Sequence, residues 1–110
     1  MTFKRRILKR AEAELREIFW RIEERSPDGA GRWLAAFEAA VEGTLRNLHS
    51  QPLAPEDGLV DFEARHFIFK TRRGRKYRAI FTVADDEVRI KHIRGAGQNL
   101  MDELGPPNDG

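Results

Sequence analysis

The apolar residues of this chain change their spacing once. From Leu8 to Leu48 they recur every three or four positions, and from His66 to Arg94 they alternate. The first spacing lines one side of a helix and the second lines one side of a strand. The chain therefore has to place helices first and a sheet afterwards. The first helical stripe is Leu8, Ala11, Leu15, Ile18, Phe19 and Ile22, with Lys, Arg and Glu filling the wet side. Glu12–Arg16 and Glu17–Arg21 stand four apart in the favourable order, and the helix is expected to end near Arg25. Ser26-Pro27-Asp28 restarts it: Ser26 can cap, Pro27 fits the first helical position, and Asp28 meets the positive end of the dipole. A second stripe, Ala30, Trp33, Leu34, Phe37, Val41, Leu45 and Leu48, predicts a helix to about His49. So short a connection makes the two helices an antiparallel hairpin. Ahead of them, residues 2–8 put Phe3, Arg5 and Ile7 on one side and predict a short strand.

Residues 51–61, with two Pro, a Gly and several acids, read as a loop. Three alternating runs follow, at 66–71, 76–83 and 87–94. Gly74 lies in the turn between the first two and Asp85-Asp86 in the turn between the last two, so they predict an antiparallel meander. Strict alternation puts Phe67, Phe69, Tyr77, Ala79, Phe81, Val83, Val88 and Ile90 on one face, with His92 the polar exception. That face is expected to pack on the helices, with His92 as a buried core histidine. The other face gathers Lys70, Arg78, Arg89 and Lys91 around Ile68, Ile80 and Ile93. Three isoleucines among four cations suit a surface that a partner covers. Gly95 and Gly97 end the last strand, residues 99–104 read as a helical turn, and a flexible tail occupies 105–110. The whole is an α+β fold: a short N-terminal strand, then a two-helix antiparallel hairpin packed on an antiparallel β-sheet. One domain spans residues 1–104.

Charge sharpens this picture. Residues 26–63 hold two basic and seven acidic side chains, whereas residues 64–99 hold ten basic and three acidic. Six of those cations fall between Lys70 and Arg78. Such segregation makes a positive region on a nearly neutral protein and points to an acidic or nucleic-acid partner. With no cysteine there is no disulfide, thiolate metal site or Cys nucleophile. His49, His66 and His92 show no zinc-binding spacing, and no cofactor is expected. No apolar run reaches the ~20 residues of a membrane span, so a cytoplasmic protein is expected. Trp20 lies off the first stripe and is a candidate interface anchor.

The order of elements, with YRAIFTVADDEVRIKHIRG at 77–95 and KRAEAELREIFWRI at 9–22, resembles the RelE/ParE superfamily of type II toxin–antitoxin toxins. The carriers are Tyr77-Arg78 opening the middle strand, an apolar run, an acidic turn, and Arg94 closing the last strand. The resemblance covers residues 2–99. It implies a growth-inhibiting toxin wrapped by a cognate antitoxin in a hetero-oligomer. One branch cuts messenger RNA on the ribosome; the other traps DNA gyrase without being a nuclease. Arg78 and Arg94 match phosphate-binding positions of the superfamily, with Lys70 beside them. RNA cleavage at the 2′-OH also gains from a general acid and base. The place where nucleases of the superfamily often carry one reads Gly95-Ala96-Gly97-Gln98-Asn99 here. This favours the gyrase-binding branch, with the ribosome-dependent endonuclease as the alternative. Lys70, Arg72, Arg73, Arg78, Arg89, Lys91, Arg94, Ile68, Ile80, Ile93 and Trp20 are the expected contacts to target or antitoxin.

Overall fold

The computed structural model describes residues 3–48, 51–72 and 74–95. The elements run β1 (Lys4–Ile7), α1 (Lys9–Glu23), α2 (Pro27–Arg46), β2 (Arg65–Phe69), β3 (Tyr77–Ala84) and β4 (Glu87–Gly95). The α+β architecture is as expected. Arg73, His49, the 99–104 turn and the 105–110 tail lie outside the described residues.

Local chemistry explains the boundaries. Ser26 Oγ accepts the Gly29 N–H at 3.0 Å. A Cβ at residue 29 would meet that oxygen at 2.9 Å, so Gly29 gives the cap its room. The β3–β4 turn puts Asp85 at φ 59°, a left-handed conformation that Asp tolerates better than most residues.

The sheet order is β1-β4-β3-β2. The β2–β3 and β3–β4 pairs are antiparallel, as the meander requires. β1 pairs in parallel with the first half of β4, Lys4 opposite Glu87 and Ile7 opposite Ile90. After Leu8 N–H bonds to Ile90 O at 3.0 Å, the chain turns into α1 and leaves the rest of the β4 edge without a strand. α1 packs on that half of β4. From it, Glu14 Oε1 accepts the Ile93 N–H at 2.9 Å, so a helix side chain continues the ladder where the strand stops.

Trp33, Phe37 and Val41 of α2 pack with Ala11 of α1, Phe67 and Phe69 of β2, Ala79 and Phe81 of β3, and Val88, Ile90 and Ile93 of β4. Aromatic rings knit the layers: Trp33 lies 5.4 Å from Tyr77, and Phe37 lies 5.3 Å from Phe69, both near edge-to-face. Each such pair adds roughly 0.5–1.5 kcal/mol beyond area burial.

Two expectations about the sheet need correction. The β3–β4 register shifts between Ile80 and Phe81, because Lys91 is an extra residue in β4. A bulge reverses the parity of everything after it. Ile93 therefore pairs with Ala79 and enters the helix-side core, whereas alternation had put it on the opposite face. His92 pairs with Ile80 on the face away from the helix layer, buried but on the other side from its expected place.

The second correction concerns that face, which is not open. Residues 53–64 fold across it, and Ala54 and Ala64 close over Ile80, with Val60 and Phe62 packed against them. Ile80 is buried completely. Ile68 is its large apolar residue left outside, at 56% exposure.

Candidate functional site

The register that corrects the faces also builds a site. Arg78 stands directly opposite Arg94 on the neighbouring strand, and Ile68 of β2 stands opposite Arg78. Like charges set opposite each other on adjacent strands destabilise a sheet unless an anion joins them. The anion comes from the covering loop. Glu56 is fully buried, and its two carboxylate oxygens accept from the two terminal nitrogens of Arg78, Nη1–Oε1 at 2.8 Å. This is the bidentate fork that guanidinium and carboxylate favour. Burial pushes the Glu56 carboxyl up, but the Arg78 hydrogen bonds and charge, with Arg94 beyond, outweigh it and hold its pKa below the ordinary value.

His66 completes the cluster, its Nδ1 3.4 Å from Arg78 Nη1. A guanidinium can only donate, so Nδ1 is the acceptor. Burial and the Arg78 charge lower the His66 pKa, with Glu56 partly opposing. Arg94 is 1% exposed, and it lies within the fields of Glu14, Arg78, Glu56 and Arg10. Burial is the main force lowering its pKa.

The same Arg94 forms part of a second feature, a cleft of about 250 Å³ between α1 and the paired ends of β3 and β4. Arg10, Arg21, Arg25 and Arg75 line it with Arg94, and Glu14 and Glu17 answer only part of that charge. Tyr77 forms its apolar wall together with Ile18, Ile22 and Ile93.

The other expected contacts are spread more widely. Lys91, the bulged residue, lays its ammonium 4.0 Å from the centre of the Phe62 ring and so clamps the loop. Arg89 turns to Glu87 at 2.7 Å, opposite Thr82. Lys70 and Arg72 are exposed beyond the end of β2. Ile93 is core and Ile80 is roofed, so neither offers a surface. Trp20 is 54% exposed and borders a shallow apolar groove with Leu15, Phe19 and Leu34 on the helix pair.

Glu56 and His66 escaped the sequence reading. The signal for Glu56 was the charge segregation itself. The acidic stretch precedes the basic one in the chain, and the nearest acidic partner of the strands is the chain's own loop. Glu63, a further carboxylate of the loop, pairs with Arg65 at 2.8 Å on the surface.

Among the described residues, no helix is long and apolar enough to cross a membrane. No curated protein matches the chain. The family described as the ParE toxin of type II toxin–antitoxin systems, parDE, matches residues 6–100. That span takes in the end of β1, both helices, the covering loop and the three strands β2 to β4. The chain therefore belongs to the ParE toxin family of type II toxin–antitoxin systems.

Proposed function

We infer that this toxin arrests growth by binding its target and not by cutting RNA, that the target is DNA gyrase in the cytoplasm, and that a cognate antitoxin encoded beside it neutralises it in a hetero-oligomer. One observation carries the choice of mechanism. The arginine best placed to hold a scissile phosphate, Arg78, is bound at both terminal nitrogens by the buried carboxylate of Glu56. The imidazole beside it accepts from that same guanidinium, so this nitrogen is not presented to a substrate as a base. A nuclease site would need both groups turned outward.

Binding surface remains elsewhere. Ile68 and the cations Lys70, Arg72, Arg75 and Lys76 are exposed around the β2–β3 connection, and Trp20 is exposed on the helix pair. An apolar anchor rimmed by charge is the usual composition of a protein interface. The test is expression in cells without the neighbouring reading frame. Growth should stop while messenger 5′ ends stay unchanged, and co-expression of the neighbour should restore growth. Arrest accompanied by new messenger cuts at ribosomal positions would overturn the binding mechanism in favour of the endonuclease.

A further inference from the structure

The arginine-lined cleft between α1 and the ends of β3 and β4 shares only Arg75 with the exposed cations proposed above as a binding surface. Its charge is unbalanced, with five arginines lining it against two glutamates. Glu14 stands 3.8 Å from Arg10, and Glu17 pairs with Arg21 at 2.7 Å. Among the described residues, Arg25 has no carboxylate partner. Ile18, Ile22, Ile93 and Tyr77 set an apolar wall beside these cations. A simple anion would meet the arginines and leave that wall wet, whereas an acidic peptide with apolar side chains meets both. We propose that residues 100–104 of the same chain dock in this cleft, their carboxylates on the arginines and their apolar side chains on the wall.

The sequence carries that chemistry to the right place. Gly95, the last residue of β4, itself lines the cleft. Fifteen residues follow it. All 20 Lys and Arg side chains precede Gly95, so residues 96–110 hold none. They hold Asp102, Glu103 and Asp109, with Leu100, Met101 and Leu104 flanking the first two acids. A chain rich in cations thus ends its sheet at a cationic cleft and continues as an acidic, apolar stretch. The family match stops at residue 100, so Asp102 and Glu103 lie past it.

Reach does not limit the contact. α1 has 15 residues and is about 22 Å long. The steps from Gly95 to Asp102 extend over about 23 Å, so both carboxylates can meet Arg21 or Arg25 from the edge of the cleft. The tether holds the segment near the cleft at an effective concentration in the millimolar range. An unattached acidic segment has to exceed that to displace it. The folded body of a second copy is a poor occupant, because its cations would approach the same arginines. The docking is independent of which macromolecule the toxin engages.

The chain has no cysteine, so Gly105→Cys takes a single nitroxide label beside the segment. The experiment is nuclear magnetic resonance of the isotope-labelled full chain carrying that label, at low salt. The amides of Ile18, Ile22, Arg25 and Tyr77 should lose most of their intensity. Those of Asp85 and Asp86, in the turn at the other end of β3, should keep theirs. Asp102→Lys/Glu103→Lys should restore most of the lost intensity, and so should high salt on the chain without those substitutions. Cleft amides that keep their intensity in the labelled chain overturn the proposal and leave the cleft to an acidic segment of a partner. A loss that either charge reversal or salt leaves unchanged also overturns it. Mixing nitroxide-bearing chain with isotope-labelled chain that carries no nitroxide separates the last occupant. Intensity lost in that mixture means that a neighbouring molecule's segment fills the cleft, and it overturns docking within one chain.

Discussion

Glu56 concentrates the energetics of the sheet's second face in one side chain. Its removal leaves Arg78 and Arg94 opposed with no loop carboxylate between them. Breaking a buried pair from one side costs roughly 3–5 kcal/mol, so Glu56→Ala should lower the urea midpoint by about that free energy at neutral pH. The pH dependence follows from two depressed pKa values. Glu56 titrates below its ordinary 4.5 in the folded chain, so its contribution is present above that value and is lost as pH falls through the lower folded pKa. His66 titrates below its ordinary 6.5 when folded, so the unfolded chain takes up that proton first and stability declines as pH drops below 6.5. Stability should therefore fall in two stages on acidification, in urea titrations from pH 7.5 downward. Glu56→Gln should abolish the lower stage and keep the upper. A single stage unaffected by that substitution would contradict the assignment.

Among elements, β4 and the covering loop are where sequence and structure part. The helices were legible because their stripes, the Ser26 cap and Pro27 act locally, and the strands were legible from their alternation up to Ile90. The bulge at Lys91 was not, because neither Gly nor Pro marks it and alternation alone gives no reason to break. Its cause is tertiary: skipping one residue places Ile93 in the core and frees Lys91 to lie over Phe62. The loop was read through its acids, which hid Ala54, Val60, Phe62 and Ala64 at spacings that match neither a helix nor a strand. Half of the candidate site followed from the sequence, since Arg78 and Arg94 were named. The other half, Glu56 and His66, depends on how the loop returns to the sheet. The corrected parity makes a sharp prediction. Ile93→Ala should destabilise by roughly 2–5 kcal/mol, as for a core residue. Trp20→Ala should stay within about 0.5 kcal/mol, as at an exposed site. Chemical denaturation of the two variants checks this, and a near-neutral Ile93→Ala would restore the unbulged register.

At the scale of the whole molecule, the positive later half is answered internally only in part. Glu56 meets Arg78, while Lys70, Arg72, Arg75 and Lys76 stay exposed at one end of the sheet. These should steer an acidic segment of the antitoxin or of the target. Arg72→Glu/Arg75→Glu is expected to slow association tenfold or so and to flatten its salt dependence while the melting temperature stays put. Stopped-flow association at low and high salt measures both. Trp20 and its groove are apolar and lie on the helix pair, so substitutions there should change dissociation more than association. The claim that unites these scales is that the toxin acts by occupying gyrase. The most direct measurement mixes purified chain, purified gyrase and supercoiled plasmid, then traps any broken DNA. The account predicts linear plasmid only when chain and gyrase are both present. Unchanged plasmid, together with messenger shortened on ribosomes by the same preparation, would contradict it.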